Sequence, residues 1–168
     1  MSDFEAALQQ KLARNAELER QRREAEREME RWELRRAQEA EERERQLAVA
    51  RRERHAELVE VLTTVANKLK AADPEGFVVR LGWSTSGEEF IAKMSTRVLE
   101  PARTLFIELD REDDEVLARW RTDIGSSLEL WRLLEVDGDM LSELVLQLAD
   151  QDYWRSATRP PPFPKPED

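Results

Sequence analysis

Side chains able to do covalent or metal chemistry are scarce in this chain, and the scarcity excludes whole classes of function. Its 168 residues contain no cysteine and one histidine, His55. Thiol nucleophiles, disulfides, zinc fingers and iron–sulfur ligation are therefore excluded. His55 lies between Arg54 and Ala56 in a charged stretch, with no second ligand type arranged around it. A solvated or interfacial imidazole is the better reading than a catalytic one. Asp110, Glu112, Asp113, Asp114 and Glu115 crowd one turn. A calcium loop counted from Asp110 would need glycine at its sixth position, where Glu115 stands, so the turn reads as solvated hairpin chemistry. Gly82 and Gly87 are the closest glycine pair and fit neither phosphate-loop nor dinucleotide spacing. The expectation is a non-enzymatic chain with no metal and no cofactor.

Binding chemistry has more to work with. Seven arginines lie between Arg20 and Arg36, but residues 17–36 also hold seven glutamates. A neutral surface releases few counterions, so no nucleic-acid partner is expected. The tail Arg159-Pro160-Pro161-Pro162-Phe163-Pro164-Lys165-Pro166 favours extended polyproline II. It reads as a stiff tether or a clip over the folded domain, ahead of a docking peptide. Trp83, Trp120 and Trp131 fall at positions of ordinary core. Trp32 and Trp154 are expected at exposed positions where an aromatic ring suits a partner.

The elements carrying these residues divide near Asp73. Residues 1–72 hold 16 basic and 16 acidic side chains, while residues 73–168 hold 11 and 21, which places the whole net charge of −10 in the second half. No glycine or proline precedes Asp73. From Asp3 to about Ala72 the composition is that of one helix, capped by Ser2 or Asp3 and ended by Asp73-Pro74. Such a helix would be roughly 100 Å long. Glu–Arg pairs at i,i+3 and i,i+4, such as Glu17–Arg20, Glu19–Arg23 and Glu42–Arg45, support it at about 0.2–0.5 kcal/mol each. A broken 4-3 register through Phe4, Leu8, Leu18, Ala25, Met29 and Trp32 admits a weak coiled coil as well as a single charged helix. The coiled coil is preferred, because Leu18, Met29 and Trp32 would otherwise lie bare. Leu58, Val61, Leu62, Val65, Ala66 and Leu69 form a clean amphipathic stripe where this helix docks on the folded domain.

Beyond Asp73, FVVRLGW and EEFIAKMS alternate around the polar turn 84–87, and two further alternating runs flank the acidic turn at 111–114. Four antiparallel strands in meander order result. Residues 126–136 fit either a strand or a helix opened by Ser126-x-x-Glu129, and the helix is preferred. Asp139 is expected to cap a final helix with Leu141, Leu144, Val145 and Leu148 inward, closed by Tyr153-Trp154.

The fold class expected is therefore α+β: a long charged N-terminal helix or coiled coil (1–72), a small acidic domain of four strands covered by helices (73–157), and a proline-rich tail (158–168). No run approaches the ~20 apolar residues of a membrane span and no signal peptide is visible, so a cytoplasmic chain with no membrane partner is expected. The expected function is that of an interaction or scaffold protein. Its helix would join copies or dock a protein partner, through Leu18, Met29 and Trp32, with Trp154 as a further contact. The alternative is a regulatory module whose acidic domain, as inhibitor or nucleic-acid mimic, masks a basic partner.

Overall fold

A computed structural model describes residues 2–167. Helix α1 runs unbroken over Asp3–Ala72. The Ser2 hydroxyl accepts the Glu5 amide at 3.2 Å, which satisfies one of the unpaired donors of the first turn. At the other end the Asp73 amide makes the last helical bond, to Leu69 O at 3.1 Å, and Pro74 follows. The chain divides into two units, Met1–Leu47 and Ala48–Asp168. The second unit thus takes in residues 48–72 of α1 together with everything that follows.

In that second unit the sheet strands are β1 (Phe77–Trp83), β2 (Glu89–Thr96), β3 (Arg103–Asp110), β4 (Glu115–Thr122) and β5 (Gly125–Trp131), a five-stranded antiparallel meander in sequence order. A single 3-10 turn at Leu133–Glu135 leads to α2 (Gly138–Ala149) and α3 (Gln151–Ser156). The fold is α+β, with one strand more than the sequence reading gives. Residues 126–131, expected to begin a helix, are β5. Thr122 pairs with Gly125 across a two-residue loop, where the Thr122 hydroxyl donates to Gly125 O at 2.6 Å and Gly125 takes a φ of 133°. The neighbouring Asp123 is clamped to Ala102, accepting its amide at 2.9 Å and donating its own to Ala102 O at 3.0 Å. Once that hairpin closes, the free edge of β4 offers a full ladder of backbone partners, which outweighs a helical cap.

One face of the sheet carries the core. Register places Ala92 beside Ile107 and Ile107 beside Ala118, with Met94–Leu105–Trp120 forming the next row. These six side chains have no exposed surface. The stripe Leu58, Leu62, Ala66 and Leu69 of α1 is buried as its spacing predicts, and α2 buries Met140, Leu141, Leu144, Val145 and Leu148. Each such leucine contributes about 1.5–3 kcal/mol by leaving water. The N-cap of α2 is Asp137, which accepts the Met140 amide at 3.0 Å, two residues earlier than the expected Asp139. A Cβ on Gly138 would approach Val61 Cγ2 at 3.1 Å, tighter than ordinary contact, so glycine here eases the close approach of α2 to α1.

Asp150 ends α2 and caps α3, so Tyr153 and Trp154 lie on a separate short helix. The tail then returns over the unit. Pro161 and Pro164 are buried, Phe163 meets Trp131 edge-on at 6.0 Å, and Gln147 donates to Pro162 O at 3.2 Å. The described tail, through Glu167, is a clip and not a free tether.

Candidate functional site

The residues proposed from sequence as contacts separate sharply. Leu18, Met29 and Trp32 are 51%, 63% and 52% exposed. At 100° per residue Leu18, Ala25, Met29 and Trp32 fall within an arc of about 60°, a narrow apolar seam of the kind helices pair through. Arg22 and Arg36 interrupt it. The Arg36 guanidinium lies 4.7 Å from the centroid of Trp32, a cation–π contact that shields one face of the indole. Within residues 2–47 every residue but Glu19 is exposed. Ion pairs along this stretch include Glu17–Arg20, Glu19–Arg22 at 2.8 Å, Glu19–Arg23 at 3.5 Å and Glu42–Arg45 at 3.0 Å. The Arg20 guanidinium, hydrogen-bonded to Glu17, holds that carboxyl below the usual range.

Trp154 is not available to a partner. It is 1% exposed, donates its indole N–H to Gln147 O at 2.7 Å and packs edge-on to Trp120 at 5.3 Å. Arg103 lies over its ring at 5.1 Å and is itself buried, donating Nε and Nη2 to Leu148 O at 3.1 and 2.9 Å and Nη1 to Gln151 Oε1 at 2.9 Å. Desolvation pushes the Arg103 pKa down. This arginine knits β3 to α2 and α3, a role its sequence position at a strand start does not announce.

His55 is likewise interior, at 2% exposure, with Nε2 3.0 Å from Leu109 O. It is interfacial between α1 and the sheet. Its ring lies 5.8 Å from that of Trp83, which in turn packs on Phe90 at 5.1 Å. Trp83, expected in the core, is half exposed because β1 is an edge strand and Trp83 its last residue.

The acidic turn is spent on structure. Asp110 accepts the Asp113 amide at 3.1 Å, and its charge raises the Asp113 pKa. Asp114, at φ 54°, accepts the Leu133 amide at 3.1 Å and pairs with Arg51 at 3.4 Å. Arg111 donates to Glu88 at 3.0 Å and lowers the Glu88 pKa. What the sequence reading missed is that strand register gathers Glu89, Glu108 and Asp110, whose carboxylate oxygens lie within 4.8 Å of one another. Burial first, then the charges of Glu89, Asp110 and Glu115, raise the Glu108 pKa, against a lowering by Arg119.

These acids stand at one end of the second face of the sheet, which no described helix of the 48–168 unit covers. At the other end are Arg80, Lys93, Arg119 and Arg121 with Phe106 among them, and the Arg119 guanidinium is 5.9 Å from the Phe106 ring centroid. Lys93, Thr104, Phe106, Arg119 and Arg121 line a shallow depression there.

Among the described residues these contacts bring together no constellation of nucleophile, base and oxyanion donors. No helix among the described residues is long and apolar enough to cross a membrane. Comparison of the chain with protein-family models, curated proteins and solved structures finds no match.

Proposed function

We propose that this chain is a non-enzymatic interaction protein. Residues 3–47 of α1 form a coiled coil with the same stretch of another copy, and the α+β unit is the part presented. The observation that carries this reading is the exposure of Leu18, Met29 and Trp32 on one arc of a helix that its own unit leaves bare. A solvated helix gains nothing from an exposed tryptophan, whereas burying a bare apolar stripe against a second helix removes it from water. The Glu–Arg pairs flanking the seam hold the helix together before it meets its mate and give the contact its register. Joining copies raises the local concentration of whatever the α+β units bind, so weak single contacts add into avidity.

The test is the mass of the full chain in solution against that of the double variant Met29→Ala/Trp32→Ala. The variant is expected to have a lower mass at equal concentration while keeping its helical signal. An unchanged mass would remove the seam.

A further inference from the structure

The uncovered face of the sheet has a polarity along its strands that selects an occupant. Successive side chains of a strand alternate faces, so the outward set reads Val78, Arg80 and Gly82 on β1, Glu89, Ile91, Lys93 and Ser95 on β2, Thr104, Phe106, Glu108 and Asp110 on β3, Glu115, Leu117, Arg119 and Arg121 on β4, and Ser126, Leu128 and Leu130 on β5. Register then arranges them in rows. The first row is Val78–Ser95–Thr104–Arg121–Ser126, the second Arg80–Lys93–Phe106–Arg119–Leu128, the third Gly82–Ile91–Glu108–Leu117–Leu130, and the last Glu89–Asp110–Glu115. Cations and carboxylates are thus segregated to opposite ends of one surface, with Phe106, Ile91, Leu117, Leu128 and Leu130 between and beside them. Leu128 and Leu130 are both exposed. Apolar residues directed outward on β5, with Ser127 and Glu129 on the opposite face, invert the pattern of a strand whose outer side is meant for water.

We infer that this face binds the same face of a second copy, with the two sheets packed in opposite strand directions about a two-fold axis that runs across the strands. That operation carries each strand onto its own mate and reverses it end for end. Arg121 then meets Glu115 of the other copy, Lys93 and Arg119 meet the row containing Glu108, and Leu128 meets Leu130, each contact occurring twice. The other in-plane two-fold, running along the strands, would lay cations on cations and acids on acids, which the Coulomb term disfavours. Two sheets stacked about 10 Å apart accept such side chains between them. A nucleic-acid strand is the competing occupant for Arg80, Lys93, Arg119, Arg121 and Phe106, but the carboxylates of Glu89, Glu108, Asp110 and Glu115 share the surface and repel phosphate. This contact is separate from the helical seam and stands whether or not residues 3–47 pair.

Charge reversal tests it in the full chain. Arg119→Glu/Arg121→Glu reverses two of the four cations of the face, Arg121 opposite Glu115 among them, and Glu89→Arg/Glu115→Arg reverses two of its four carboxylates. Each is expected to lower the solution mass relative to the parent chain at moderate salt, and an equimolar mixture of the two, or the chain carrying all four changes, to restore it. Because the chain has no cysteine, a direct readout is also open. Leu128→Cys chains mixed with Leu130→Cys chains should cross-link through a short bis-maleimide, while the exposed Val98→Cys control should not. This second readout does not depend on the helical seam. Charge-reversed chains of parental mass, a mixture that fails to recover, or cross-linking no better than the control would each overturn the proposal. So would a parent chain that leaves this face open and binds a single-stranded oligonucleotide through Arg119 and Arg121.

Discussion

Residues 3–47 and 48–72 belong to one helix, share its dihedrals and are both rich in glutamate, arginine and alanine, yet they live in different environments. In the first stretch the large apolar side chains Phe4, Leu8, Leu12, Leu18, Met29, Trp32 and Leu34 are all exposed. In the second, Leu58, Leu62, Ala66 and Leu69 are buried. Helix propensity makes both stretches helical and does not distinguish them. The difference is spacing. Four apolar residues at intervals of four, four and three build a continuous stripe that a sheet can cover, whereas the arc through Leu18, Met29 and Trp32 is narrower and interrupted by arginines.

The largest test of that contrast is a pair of truncations in the same helix. Leu62→Ala should cost about 2–5 kcal/mol, read by urea unfolding followed through tryptophan fluorescence. Leu12→Ala should leave unfolding of the 48–168 unit within about 0.5 kcal/mol. Equal losses would mean that the two stretches are not energetically distinct. Arginines sharpen the same point. Arg103→Ala removes the donors to Leu148 O and Gln151 Oε1 and the contact with Trp154, a cost of about 2–4 kcal/mol. Arg27→Ala, on the solvated stretch, should be silent in the same measurement. Between these lies His55→Ala, expected to cost about 1–3 kcal/mol because a buried ring that contacts Leu109 O and Trp83 is removed. The smallest effect is that of salt. Pairs such as Glu19–Arg22 and Glu42–Arg45 contribute only about 0.2–0.5 kcal/mol each and are screened. Raising ionic strength should therefore trim the far-ultraviolet helical signal and leave the near-ultraviolet tryptophan signal of the 48–168 unit unchanged.

Much of the fold was legible because its signals are local. Ser2, Asp73-Pro74 and the absence of glycine between them mark α1, and strict alternation marks β1 to β4. The misreadings share one cause, which is that burial is decided by distant parts of the chain. Ser126-x-x-Glu129 is a sound helix start in isolation, and only the unpaired edge of β4 makes it a strand. Trp154 follows a run that looks like a helix end, and only Arg103 and Trp120, far away in sequence, enclose it. His55, read as either solvated or interfacial, is interfacial, and its charged neighbours could not decide between the two because the Leu109 carbonyl lies far off in sequence. The two-ended polarity of the open sheet face was invisible for the same reason, since it exists only once four strand registers are fixed. Leu18, Met29 and Trp32 were legible as exposed, because nothing distant covers them within their own unit.

The central claim is that the exposed seam of residues 3–47 joins chains, and light scattering on the full chain beside Met29→Ala/Trp32→Ala tests it most directly. The account predicts a concentration-dependent oligomer for the parent chain and a smaller species for the variant, with equal helical content in both. A parent chain that remains a monomer as concentration rises, or a variant whose mass matches an oligomeric parent, would contradict it.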